Sequence, residues 1–107
     1  MSPKQPFTLI FAPEIREHLN SIERKYHGSI RQTIKEQLGY APDVQTKNRK
    51  PLEQPAPYEA AWELRFGPNN RFRVFYEVDI EQRQVSVLAI GIKEGNRLFI
   101  GDEEFTR

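Results

Sequence analysis

The chain has no cysteine, one methionine, one tryptophan and two histidines in 107 residues. Without cysteine there are neither disulfides nor thiolate metal sites, and His18 and His27 alone make a poor transition-metal centre. No metal or other cofactor is expected. Long apolar runs are also missing. None approaches the ~18 residues of a membrane helix, and the N-terminal MSPKQPF lacks the apolar stretch of a secretory signal, so a cytoplasmic protein is expected. Excess charge of one sign is absent too, since 16 Lys and Arg offset 15 Asp and Glu. A net charge of +1 argues against a generic nucleic-acid binder. What remains, 37% hydrophobic and 29% charged residues, suits one small globular domain over residues 1–107 with a single core.

The charge that is present is unevenly spread. Residues 47–73 carry six basic and three acidic residues, whereas 74–107 carry four and seven. The basic block is Lys47, Arg49, Lys50, Arg65, Arg71 and Arg73. A modest phosphate-binding patch fits this distribution and a long duplex-binding stripe does not.

Within that block lies WELRFGPNNRFRVFYEV at 62–78, two alternating runs that read as half-buried strands. Matching their apolar sets puts Phe66 opposite Phe72, Leu64 opposite Val74 and Trp62 opposite Tyr76. Arg65 then faces Arg73. The register leaves 67–71 as a five-residue hairpin loop whose Gly-Pro-Asn-Asn supplies turn chemistry. Like charges directly opposite destabilise a sheet by ~0.2–1 kcal/mol, and an anion bound by both arginines would compensate. Neutralisation of one arginine by Glu63, on the diagonal to Arg73, is the plainer alternative.

Elsewhere, Phe7, Leu9 and Phe11 indicate a first strand. Pro13 opens a helix whose apolar stripe is Ile15, Leu19, Ile22 and Tyr26, with Gly28 as a left-handed stop. His18, beside that stripe, is assigned to packing. Ser29 and Gln32 form a capping box for a second helix that buries Ile30, Ile34 and Leu38 and ends at Gly39. Four prolines between 40 and 61 mark an extended connection without regular structure. A last strand runs over 82–92. The order β-α-α-β-β-β gives an α+β fold, a twisted antiparallel sheet packed on a two-helix hairpin. If parity holds, Arg65, Arg73, Phe75, Val87, Ala89 and Lys93 point to the face away from the helices. Cations around an aromatic ring suit single-stranded RNA, with Phe75 as a stacking platform unless loop or tail covers it. Lys47, Arg49, Lys50 and Arg71 are further RNA-binding candidates. The turns at 67–70 and 95–96 precede no helix and are given no chemistry.

The runs TKNRKPL at 46–52, WELRF at 62–66, RFRVFYEVD at 71–79 and VLAIGIKEGNRL at 87–98, in that order, resemble the RelE/ParE superfamily of bacterial type II toxin–antitoxin toxins. The resemblance spans nearly the whole chain and implies the RelE-like fold and a cognate antitoxin as partner. RelE-like members cleave mRNA on the ribosome without a metal, whereas ParE-like members inhibit DNA gyrase; a toxin that keeps only antitoxin binding is a third outcome. In the RelE-like case Arg73 matches the central arginine of the pattern YR(L/V)-x-Y, here FRVFY, and is implied at the scissile phosphate. Arg65 stands for a lysine as a second clamp, and Lys93 for a basic residue that stabilises the phosphorane or donates a proton. Glu63 replaces another lysine and is a candidate base; Phe99 replaces a C-terminal tyrosine.

Overall fold

The computed structural model describes residues 5–106. Its strands are β1 Thr8–Phe11, β2 Arg49–Pro51, β3 Trp62–Phe66, β4 Phe72–Asp79, β5 Gln84–Glu94, β6 Arg97–Ile100 and β7 Glu103–Phe105, with helices α1 Ile15–Asn20 and α2 His27–Leu38. They form one sheet in the order β2-β3-β4-β5-β6-β7, antiparallel throughout, with β1 added in parallel along the first half of β5. The α+β layering and the antiparallel hairpins are as expected. Additional strands extend it: β2 inside the proline-rich connection, and the β6–β7 hairpin that closes the chain.

The core lies between the helices and one face of the sheet. Ile15, Leu19, Ile22, Ile30, Ile34 and Leu38 meet Leu64, Val74, Tyr76, Val85, Val87 and Ile90. Ile30, Leu38, Leu64 and Val74 are wholly buried, each removal from water contributing ~1.5–3 kcal/mol. Tyr76 goes into this core and donates its hydroxyl to the Pro42 carbonyl at 2.7 Å, pinning the start of the long connection. No helix among the described residues is long and apolar enough to cross a membrane.

Helix boundaries differ from expectation. The first helix is only six residues, followed by a 3-10 turn at Arg24–Tyr26 that leads straight into α2. Gly28 is interior to α2 rather than a stop, and Ser29 is no cap: Tyr26 holds that position without a side-chain bond. Gln32 instead donates to Glu36 at 2.8 Å one turn on.

Parity also fails once, on β5. Phe75 pairs Ala89 while Tyr76 pairs Val87, so Leu88 is an extra residue and the strand bulges there. Val85 and Val87 therefore share the helix face with Ile90, and Val87 leaves the opposite face on which simple alternation placed it. The bulge falls where β1 has ended at Val87 and β6 has not yet begun at Gly91. The Ile90 amide, facing that gap, donates to His18 Nδ1 at 3.2 Å, and His18 Nε2 lies 3.1 Å from the Tyr58 hydroxyl. A neutral ring that accepts at Nδ1 carries its proton on Nε2, which donates to Tyr58. His18 thus supplies the missing sheet partner.

Burial pushes the His18 pKa below 6.5, outweighing the opposing pull of Glu14 and Glu17. The unfolded chain takes up this proton more readily, so the stabilisation is complete above pH 6.5 and is lost as pH falls below it. The urea midpoint should drop between pH 7.5 and 5.5, and drop less in His18→Gln. Equal midpoints in the wild-type protein would remove His18 from the stability account.

Candidate functional site

The β3–β4 hairpin has the register read from its apolar residues. Trp62 faces Tyr76, Leu64 faces Val74, Phe66 faces Phe72, and Arg65 faces Arg73. Leu64 and Val74 point to the helices, so the arginines point away from them. On the outer side β2 brings Lys50 opposite Glu63, and on the inner side β5 brings Lys93 two residues beyond Gly91, the partner of Arg73. Lys50, Glu63, Arg65, Arg73 and Lys93 converge on one cavity of about 440 Å³. Leu52, Ala56, Pro57, Phe75, Leu98 and Phe105 supply its apolar wall.

Glu63 resolves the repulsion between the arginines. Its Oε1 accepts from Arg65 Nε at 2.6 Å and lies 3.5 Å from Arg73 Nη1. The single carboxylate therefore serves both guanidiniums, not one. Glu63 is 6% exposed and Arg73 8%, whereas the Arg65 side chain is 31% exposed. Arg73 is held from its other end as well, with Nε donating to the Asn70 carbonyl in the hairpin loop at 2.8 Å. Burial lowers the Arg73 pKa and neighbouring Arg65 lowers it further, while Glu63 raises it. Guanidinium stays charged in a protein under these influences. Four cations and two carboxylates thus line the pocket, Glu63 between the arginines and Glu104 engaged by Arg97 at 2.8 Å. Such a donor set suits an anion rather than a metal, and no group of three or more His, Asp or Glu able to hold a metal occurs among the described residues.

Other candidates are sealed or lie elsewhere. Phe75 is 1% exposed, sealed by Ala60, Ala89 and Ile100 with Leu52, Leu88, Leu98 and Phe105 around them. It offers no ring face to a base, which corrects its reading as a stacking platform. The cover comes from the proline-rich connection and the C-terminal hairpin. Arg49 is on the helix side, opposite Leu64, with Nε donating to the Val44 carbonyl at 3.0 Å and Nη1 to the Gln37 carbonyl at 2.8 Å and side chain at 2.9 Å. Its guanidinium ties β2 to the end of α2 and does not reach the cavity. Lys47 is exposed ahead of β2 and does not line the cavity either. Arg71 lies over the rings of Tyr26 and Phe72, at 5.9 and 5.5 Å, beside a second cavity. Phe99 pairs with Ile92 on the helix side, away from the arginines.

The residues missed in the sequence are Leu52, Pro57 and Phe105, which shape the cavity from segments read as loop and tail. A signal for the last existed: Leu98 and Ile100 alternate, Gly101 and Asp102 can turn the chain, and Phe105 then pairs with Leu98. Gly101 does turn with φ +63°.

No protein-family model and no curated protein matches this chain. Among solved structures, it is similar to one chain of the RelBE2 toxin–antitoxin complex from Mycobacterium tuberculosis, at a TM-score of 0.66 and 20% identity over 82% of this chain and 99% of that one. At that identity the likeness concerns architecture: this chain has the RelE-like α+β fold, and its cation-lined cavity is built on the sheet face opposite the helices.

Proposed function

We propose that this chain is the toxin of a type II toxin–antitoxin module, a cytoplasmic, ribosome-dependent mRNA endonuclease of RelE type. The observation that carries this reading is the facing pair Arg65 and Arg73, flanked by Lys50 and Lys93 on an open cavity. Cleavage by this route needs no metal. The ribose 2′-oxygen attacks the adjacent phosphorus, the bond to the 5′-oxygen breaks, and the products are a 2′,3′-cyclic phosphate and a 5′-hydroxyl. Negative charge builds on the non-bridging oxygens, where two preorganised guanidiniums act best. Arg73, gripped by Asn70 and Glu63, is the fixed clamp; Arg65, more exposed, is the second. As phosphate oxygens replace the Glu63 carboxylate on these arginines, Glu63 is released to accept the 2′-hydroxyl proton, and Lys93 protonates the departing 5′-oxygen.

The same cations would be masked in the resting cell by an acidic segment of a cognate antitoxin. The similar solved structure is of a toxin–antitoxin complex, which supports a partner of that kind. Induction of the chain should arrest growth and cut messengers only while they are translated, leaving cyclic phosphate ends. Intact messenger on translating ribosomes would sink the reading. The burial of Phe75 and of Tyr76 favours a second one, a ParE-like inhibitor of DNA gyrase that performs no chemistry. Inhibition of supercoiling by micromolar purified protein, with messenger intact, would select it. A chain that arrests nothing yet binds the antitoxin would be a degenerate toxin.

A further inference from the structure

A second cavity of about 540 Å³ opens between the tip of the β3–β4 hairpin and the end of β5. Arg73 and Lys93 line both cavities and form their common wall. Pro68, Asn69, Arg71, Glu94 and Gly95 complete the lining of the second. The walls are tied together. The Lys93 amide donates to the Arg71 carbonyl at 2.7 Å, and the Asn70 carbonyl accepts from Arg73 Nε at 2.8 Å. Asn69 and Asn70 reach this shape with φ of +55° and +53°, a conformation asparagine tolerates better than most side chains.

We infer that this second cavity is a nucleotide subsite, which takes the nucleoside next to the phosphate held by Arg65 and Arg73 and prefers a base carrying an exocyclic amine. The inference rests on the reading of the arginine cavity as a single-stranded RNA site. A phosphodiester lodged on the wall shared by Arg73 and Lys93 must send its chain into the cavity beyond. The volume falls within the ~300–1,000 Å³ of small-ligand pockets. Arg71 supplies a cation for the following phosphate, Pro68 an apolar surface for the base, and Asn69 an amide for its edge. Glu94 sets the preference. A carboxylate accepts from the amine of cytosine and is repelled by the carbonyl oxygen that uracil presents in its place.

The test uses 2′-O-methyl trinucleotides of cytosine and of uracil, which cannot be cleaved, titrated into the whole labelled protein by NMR. With the cytosine oligomer the amides of Asn69, Arg71 and Gly95 should shift along with those of Arg65 and Arg73. Its Kd should be about tenfold below that of the uracil oligomer, and Glu94→Gln should bring the ratio close to one. Shifts confined to Arg65 and Arg73, or equal Kd values for the two oligomers, would overturn the subsite and leave the RNA reading standing. If no amide shifts with either oligomer, the subsite is overturned as well, while cleavage of translated messenger still decides the RNA reading.

Discussion

Arg73→Ala should lower single-turnover cleavage of ribosome-bound messenger by about 10²–10³, the loss typical of a preorganised donor to a transition-state oxyanion. Arg73→Lys should recover little of it. A lysine cannot present the planar fork that lets one guanidinium donate at Nε to the Asn70 carbonyl while Nη1 faces Glu63. The folded state should be affected far less. Glu63 keeps Arg65 at 2.6 Å when Arg73 is gone, so no buried carboxylate is orphaned, and one half of a like-charged cross-strand pair disappears. A large kinetic loss beside a small change in urea midpoint therefore separates a catalytic Arg73 from a merely structural one. Cleavage within threefold of wild type would remove Arg73 from the reaction.

The arginine pair was legible in the sequence because strict alternation on both sides of a short loop leaves one register that buries every apolar residue together. The same logic failed on β5, where Val85, Val87, Leu88, Ala89 and Ile90 are apolar at both parities. Such a run does not reveal where the strand bulges, and the bulge at Leu88 became visible only against β4. Helix ends were misread for another reason. Ser29 and Gln32 have capping-box spacing, but the 3-10 turn at Arg24–Tyr26 had already directed the chain into α2, and tertiary packing overrode the local signal. In the proline-rich connection, Arg49, Lys50 and Pro51 carry no alternating pattern of their own. They form a strand because β3 offers a free edge. That strand is why Lys50 joins the cavity and Arg49 does not: adjacent residues on one strand point to opposite faces. The cavity's cations could thus be listed from composition, but sorting them required the pairing of strands.

Gly67→Ala should be the most damaging single substitution in the hairpin that carries the site. Gly67 has φ +82° and ψ −177°, a region essentially closed to residues with a Cβ. The added atom would also lie 2.3 Å from Phe72 Cδ2 and 2.8 Å from Cε2, a clash with the side chain of a residue that is 2% exposed and packed against Tyr26 and Phe66. Backbone strain and overpacking together should remove ~2–4 kcal/mol, lowering Tm by roughly 10–20 °C for a domain of this size. Gly95→Ala is the control. Its φ of +60° carries strain, but nothing lies within 4 Å of the new Cβ, so ~1–2 kcal/mol is expected. The functional consequence follows from position. Gly67 begins the loop whose Asn70 carbonyl holds Arg73 Nε, so a loop forced to rearrange releases the fixed clamp even in molecules that remain folded. Cleavage by Gly67→Ala, measured well below its own Tm, should therefore fall by more than the folded fraction accounts for. If the two variants melt alike and cut alike, the tight contact of the loop with Phe72 is not what sets the arginines in place.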